Sequence, residues 1–492
     1  MTWGFGSNPG MLRWAKRITA CAAPGNRLWL VILCAGLACW GGLRPAAAAD
    51  RALDFSVHTL SSGLPGPTAL IVGGIQGDEP GGFNAAALIA THYKIRSGRV
   101  IVVPNLNFPS IVKRSRGIYG DMNRKFARLT LDDPEWKTVD RIKAMMKHPE
   151  VDFILNLHDG SGFYTRTYES PQRNPKRWGQ SIIIDQARMP RVEGREPSLF
   201  DDLSRAAETC AGDINRRLLD DTHRVFVKNT HTAKGNREME KTLTFFALKH
   251  HKPAFGIEAS KSFLTPGRVY YHLLAIESFL TQAGIGFDRG FPLSKTGIRR
   301  AMDEDIALSL GEQRVLLFAE NIRNRLNFIP MEKDRELRFD VNHPLLTLVP
   351  NGKGFYLYHG NRRLTRLFPQ YFEYDLGLDR VEMVVDGEGL SIPFGSRVPV
   401  KERFLVKHIP DHRVNIIGFS RQDTTNESGF VVRQNNIAKR FSIDRAGRIF
   451  RVEVYREGKF NGMVLVDFRA EQKSLKLARA RDDRGEKAPF FR

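Results

Sequence analysis

The run Ala69-Leu70-Ile71-Val72 leads into Gly73-Gly74-Ile75-Gln76-Gly77-Asp78-Glu79-Pro80-Gly81-Gly82, and then into Phe83-Asn84-Ala85-Ala86-Ala87-Leu88-Ile89-Ala90. A short stretch that is apolar at every position predicts a strand covered on both faces. The glycines predict a tight turn, and the alanine-rich stretch a helix. Strand, glycine loop and helix in succession are the unit of an α/β fold. The same kind of run recurs at residues 99–104, 151–157 and 253–258, with helical stretches between. Residues 50–290 are therefore expected to form an α/β domain, a mixed sheet flanked by helices, closed by an amphipathic helix over 270–283. Residues 105–128 and 164–193 read as long irregular loops, and such loops inside a compact domain tend to carry function.

Past residue 290 the pattern changes to short alternating runs broken by Asp-Gly, Asn-Gly and Gly-Lys turns, such as Phe355-Tyr356-Leu357-Tyr358-His359-Gly360-Asn361. That pattern predicts antiparallel β structure. Two small all-β domains are expected, 291–378 and 379–470, the second immunoglobulin-like, followed by a charged, disordered tail over 471–492.

Open α/β sheets hold ligands in loops at the carboxyl ends of their strands. The glycine loop offers Gln76 and Glu79, three residues apart, which would share a face on one helical turn. His158 ends the run Phe153-Ile154-Leu155-Asn156-Leu157 and precedes Asp159-Gly160. Glu258 ends Ala254-Phe255-Gly256-Ile257, and a buried acid is costly without a partner or a role. Between them lies a basic loop with Arg114, Arg116 and Asp121-Met122-Asn123-Arg124. Guanidinium forks bind carboxylates in bidentate fashion.

Taken in order, Gln76/Glu79, Arg116, Asn123-Arg124, His158 and Glu258 resemble the zinc carboxypeptidase superfamily over residues 69–285. The Gln-x-x-Glu pair, in place of His-x-x-Glu, resembles the peptidoglycan carboxypeptidases that help to determine bacterial cell shape. The resemblance implies that Gln76, Glu79 and His158 hold one zinc ion and leave a fourth position open. It also implies that Asn123 and Arg124 grip the substrate's terminal carboxylate and that Arg116, with Arg114 as competitor, steadies the oxyanion. Glu258 would be the general base. Lys261 would contact an acidic substrate group or remain a surface lysine. A glutamine oxygen gives less charge than imidazole, so zinc would be held less tightly and act as a stronger Lewis acid. The implied reaction is removal of terminal meso-diaminopimelate from tripeptide stems of peptidoglycan. Two rivals remain: an aspartoacylase-like deacylase of small N-acyl amino acids, and a wall-binding protein with a decayed site.

Charge and targeting fit the wall reading. Net charge is +21, and the first 49 residues carry five of the positives and no acid, leaving +16 for the rest. Such an excess favours an anionic partner or serves solubility. No zinc-finger spacing or interleaving of aromatic and basic residues points to nucleic acid. Arg27 precedes an apolar run, residues 28–40, and then Pro45-Ala46-Ala47-Ala48-Ala49, the pattern of a cleaved secretory signal. Export to the periplasm without stable membrane insertion follows, with a retained anchor as the alternative. Of the four cysteines, Cys21, Cys34 and Cys39 precede the cleavage region, so Cys210 would have no internal partner.

Overall fold

The computed structural model describes residues 53–190 and 198–469. The expected signal segment and charged tail lie outside the described residues. Seven strands form the first sheet: β1 (His58–Ser61), β2 (Thr68–Val72), β3 (Arg99–Val103), β4 (Phe153–Gly160), β5 (Ser181–Ile184), β6 (Phe226–Asn229) and β7 (Ala254–Ser260). Their order is β1-β3-β2-β4-β7-β5-β6. The central strands β3, β2, β4 and β7 run parallel, while β1 and the β5/β6 pair run against them.

Helices cover both faces. On β2, Ala69 and Ile71 pack with α1 (Pro80–His92), α4 (Leu203–Asn215), α6 (Thr265–Gln282) and α7 (Lys295–Asp303). Leu70 and Val72 point the other way, toward α3 (Trp136–Lys147) and α5 (Leu243–Lys249). This period-2 split of an unbroken apolar run is what a strand buried on both faces requires. Cys210 is free and fully buried in the first of these cores.

Two expectations change here. The loop 105–128 contains a short helix, α2 (Phe108–Lys113), and a single 3-10 turn, Met122–Arg124. The loop 164–193 contributes β5, whose Ser181-Ile182-Ile183-Ile184 pairs antiparallel with β7. Four residues are too short for a periodicity argument, but β-branched isoleucines beside a completed sheet edge still pair.

The span 291–378, expected to be all β, opens instead with α7, whose Ile298, Ala301 and Met302 complete the first core; beyond it the chain is mainly β, with 3-10 turns at Gln434–Asn436 and Lys439–Phe441. One sheet has the order β9-β8-β11, from β8 (Ala307–Leu310), β9 (Val315–Phe318) and β11 (Phe339–Val341). A second runs β10-β14-β13-β12, from β10 (Arg325–Glu332), β12 (Leu346–Asn351), β13 (Gly354–His359) and β14 (Arg362–Phe372). A third has β16-β15-β18-β20, from β15 (Arg380–Val385), β16 (Glu388–Pro393), β18 (Arg403–Val406) and β20 (Val432–Arg433). The fourth, β17-β22-β21-β19, uses β17 (Ser396–Pro399), β19 (His412–Ile416), β21 (Ile449–Arg456) and β22 (Lys459–Asp467). This fourth sheet serves two cores. Phe450, Val452, Val464 and Val466 face Met383, Phe404 and Val406 of the third sheet. Tyr455, Phe460, Met463 and Leu465 face Leu308, Leu317, Ile329 and Leu348 of the middle sheets. Among the described residues no helix is long and apolar enough to cross a membrane.

Candidate active site

The glycine loop is built for close approach. Gly77 passes so near α2 that a Cβ would lie 2.1 Å from the Ser110 backbone. Gly74 has φ +72°, open to glycine at little cost. The loop ends when Pro80 starts α1, which suits proline's fixed φ and missing N–H. Gln76 and Glu79 therefore do not share a helical face as expected: both precede the helix, Glu79 as its cap residue with φ −115°. The loop, rather than a helix, brings them together.

His158 and Glu258 also differ from expectation in place. Neither ends its strand, because β4 and β7 keep pairing to Gly160 and Ser260, and the register sets His158 directly opposite Glu258. Gly160 makes room beside them, since a Cβ there would come within 2.7 Å of the Glu258 carboxyl.

Three lone-pair atoms converge on one point. His158 Nδ1 lies 2.9 Å from Gln76 Oε1 and 3.0 Å from Glu79 Oε2. A single N–H can bridge only one of these oxygens well, so the arrangement favours a cation. One imidazole nitrogen with two oxygens is a donor set that zinc accepts, in structures that leave a further position open. Among the described residues no group of three or more His, Cys, Asp or Glu side chains is arranged to hold a metal, so a three-ligand site here needs the glutamine.

Supporting residues fix each of the three. Gln76 Nε2 donates to Asp121 Oδ1 at 2.8 Å, which turns Oε1 toward His158. Asp121 also accepts from the Asn123 N–H and from Arg116, at 3.0 and 2.9 Å. Burial works to raise the Asp121 pKa, but Arg116 and these hydrogen bonds outweigh it and hold it low. Glu79 Oε2 accepts from the Asp159 N–H at 3.1 Å. Asp159 is buried and accepts from the Gly81 N–H at 2.8 Å and from Arg268 at 3.0 Å, with His272 Nε2 3.1 Å away. It thus ties β4 to the start of α1 and to α6.

Burial alone would lower the His158 pKa, but the Glu79 hydrogen bond and the charges of Glu79 and Glu258 reverse this and raise it. Glu258 is ringed by protein with its carboxyl opening on the cavity. Burial, helped by Glu79 and Asp159 against His158, pushes its pKa up to about 8.

The cavity around these groups holds about 320 Å³. Arg116, Asn123, Arg124 and Lys261 all reach it. Asn123 accepts from the Leu243 N–H at 3.0 Å, and its Nδ2 is 3.4 Å from His158 Nε2. Arg124 lies beside it with Nη1 on the Asn123 carbonyl at 3.1 Å. Lys261 is paired with Asp78 at 2.8 Å and lies 3.5 Å from Glu79. Arg114 is not part of the site: its backbone turns to φ +55° and Nε donates to the Asn361 carbonyl at 2.6 Å. Trp178 lines the cavity, whereas Tyr164 stands back from it, across the Lys228 ammonium.

Sequence reasoning missed Asp121, Asp159, Asn156 and Lys228. Asp121 carried a signal, an acid capping the turn before Asn123-Arg124. Asn156 lines the cavity with both amide atoms buried and without a hydrogen-bond partner among the described residues. Lys228 donates to the Pro175 and Arg177 carbonyls, both at 2.9 Å, and burial pulls its pKa down to about 8 against the pull of Glu258.

The chain is similar to known proteins over most of its length. Residues 26–302, more than half of the chain, match the family described as the catalytic part of carboxypeptidases controlling helical cell shape. Residues 374–469 match a C-terminal domain of metallo-carboxypeptidases. The product-bound structure of the cell shape determinant Csd4 from Helicobacter pylori is 39% identical, with TM-score 0.76, covering 84% of this chain and 100% of that one. The mDAP-bound form of Helicobacter pylori Csd4, described as a D,L-carboxypeptidase, is 40% identical with TM-score 0.75, covering 82% of this chain and 96% of that one. An N-α-acetyl-L-2,4-diaminobutyric acid deacetylase from Halomonas elongata is 33% identical over 103 residues, which is 19% of this chain and only 29% of that enzyme. This chain belongs to the metallocarboxypeptidase family that controls helical cell shape.

Proposed function

We propose that the chain removes terminal meso-diaminopimelate from peptidoglycan tripeptide stems in the periplasm, with one zinc ion held by Gln76, Glu79 and His158. The observation that supports this most is the convergence of those three donor atoms at 2.9 to 3.0 Å, with Glu258 directly opposite His158. The relatives add the substrate class, since Csd4 structures carry tripeptide and mDAP. Zinc bound there would supply Lewis-acid polarisation of the scissile carbonyl and the attacking water.

The chain's own residues do the rest. Arg124 and Asn123 take the free terminal carboxylate, a charge-assisted contact that places the last peptide bond over the three donors. Arg116 keeps one edge on Asp121 and offers Nη1, 3.4 Å from Glu79, to the developing oxyanion. Glu258 takes a proton from the attacking water and returns it to the leaving amine; its raised pKa keeps it basic enough to do so. Lys261 meets an acidic group of the substrate. Three domains are proposed, 50–290, 291–378 and 379–470, the last immunoglobulin-like, with α7 packed back onto the first core and the fourth sheet shared with the middle one.

Incubating the zinc-loaded protein with muropeptides carrying tri- and tetrapeptide stems tests the reading by mass spectrometry. The expected result is conversion of tripeptide to dipeptide, abolished by chelator and by Glu258→Ala, with folding and metal content of that variant unchanged. A protein that binds metal and leaves every stem intact, while hydrolysing small N-acyl amino acids, would replace the reading with the deacylase.

A further inference from the structure

A second cavity, of about 550 Å³, lies between the middle sheets and the last domain. That volume suits a small ligand or one unit of a polymer. It shares no lining residue with the catalytic cavity. One wall comes from β10, and the other from β19 and β21. Arg323, Arg325, Arg413, Arg440 and Arg451 line it with one acid, Glu453, so its lining carries a net +4.

The floor is built from buried, fixed groups. Arg451 and Glu453 are 5% and 2% exposed and pair at 3.0 Å. Glu453 also accepts from the Tyr455 hydroxyl at 2.7 Å. Arg451 spends its other donors on the carbonyls of Phe328 and Asn327, at 2.8 and 3.3 Å. This pair is neutral as a unit, so the surplus charge belongs to the walls. Arg323 is engaged with Ser442 and the Lys439 carbonyl. Arg325, Arg413 and Arg440 have no ion-pair partner among the described residues; they lie over the rings of Phe368, Tyr455 and Phe441 at 4.3, 4.7 and 5.0 Å.

The rim is apolar and held there at a cost. Phe328 has φ +56° and is 66% exposed. A bulky residue in the left-handed region is strained, and such strain concentrates at ligand clamps. The residue sits at the irregularity in β10/β14 pairing between Leu326 and Ile329, and Arg451 holds its carbonyl. Bulges of this kind re-aim side chains. Phe441 stands exposed on the opposite lip.

We propose that this cleft is a second binding site, for a peptidoglycan strand, an amino-sugar polymer bearing acidic stems. The exposed Phe328 and Phe441 rings meet the apolar face of a sugar ring, and Arg325, Arg413 and Arg440 bind the carboxylates. The site keeps the enzyme on its polymeric substrate and takes no part in bond breaking. It rests on the wall-polymer reading above.

The test uses the zinc-loaded full chain and two variants of exposed residues, Arg325→Glu/Arg440→Glu and Phe328→Ser. Each is measured on soluble tripeptide and, by co-sedimentation, on purified wall sacculi. The expected result is unchanged kcat/KM on the tripeptide with sacculus binding weakened about tenfold or more in the double variant, the loss of two charge-assisted contacts. Phe328→Ser weakens sacculus binding as well, with its circular dichroism unchanged. Sacculus binding equal to wild type in both variants overturns the site. Competition by a peptide-free sulfated polysaccharide as effective as that by sacculus fragments also overturns it, since the cleft would then be a general polyanion surface. A wild-type chain that fails to cleave tripeptide yet loses sacculus binding in the variants would overturn the catalytic reading and leave the cleft standing.

Discussion

Glu258, the proposed general base, is a buried carboxyl set among the charges of Glu79 and Asp159. Its pKa, pushed up to about 8 by burial from the ordinary 4.5, means that the folded metal-free protein holds this proton more tightly than the unfolded chain. Stability from this group is therefore greatest at low pH and falls as pH rises from about 4.5 toward 8. Glu258→Gln removes that loss. The expected outcome is a metal-free variant whose Tm gains on wild type between about pH 5 and pH 8, while its hydrolysis is abolished; a Tm difference that stays constant across the range would refute the assignment. Gln76 makes a separate prediction. Gln76→His replaces an amide oxygen by a stronger donor, so the variant should keep activity and retain zinc longer against chelator. Equal zinc loss in variant and wild type would show that position 76 is not a ligand.

At the scale of elements, the site depends on how β4 is pinned. Asp159, one residue past His158, joins the N-terminus of α1 to α6 through Gly81, Arg268 and His272. Asp159→Asn leaves Arg268 without its buried counter-charge, a change that costs about 3–5 kcal/mol when a buried pair is broken. The expected outcome is a lowered unfolding midpoint in denaturant together with weaker metal retention, because the same strand carries His158. An unchanged midpoint would make the cluster incidental. The sequence displayed β2, β3, β4 and β7 clearly, because buried strands cannot hide a run of isoleucine, valine and leucine. It displayed the order Gln76, Glu79, His158, Glu258 for the same reason: each stands near the end of such a run. What it hid were groups whose role depends on a distant partner. Asp159 looks like any acid before a glycine until α6 brings Arg268 and His272, 109 and 113 residues on. Arg114 and Arg116 are indistinguishable in a basic loop; the fold separates them, turning Arg114 away to the Asn361 carbonyl and pairing Arg116 with Asp121. β5 and β6 are four residues each, and their pairing is set by the sheet they join.

At the scale of the whole molecule, the fourth sheet sits between two cores, with Phe460, Met463 and Leu465 on one side and Val464 and Val466 on the other. A chain cut near residue 440 loses β21 and β22, and with them a wall of the middle core. The truncated protein should therefore lose protection from hydrogen exchange in β8, β9 and β12 as well as in the third sheet, and full protection there would refute the dependence. The same arrangement sets a timetable. The middle sheets are complete by Phe372, yet one side of their core stays bare until the hairpin of β21 and β22, which starts at Ile449, arrives to cover it. A ribosome that stalls before residue 449 leaves sticky, half-finished strands behind, so the part of the chain most in need of a chaperone is not its end but its centre.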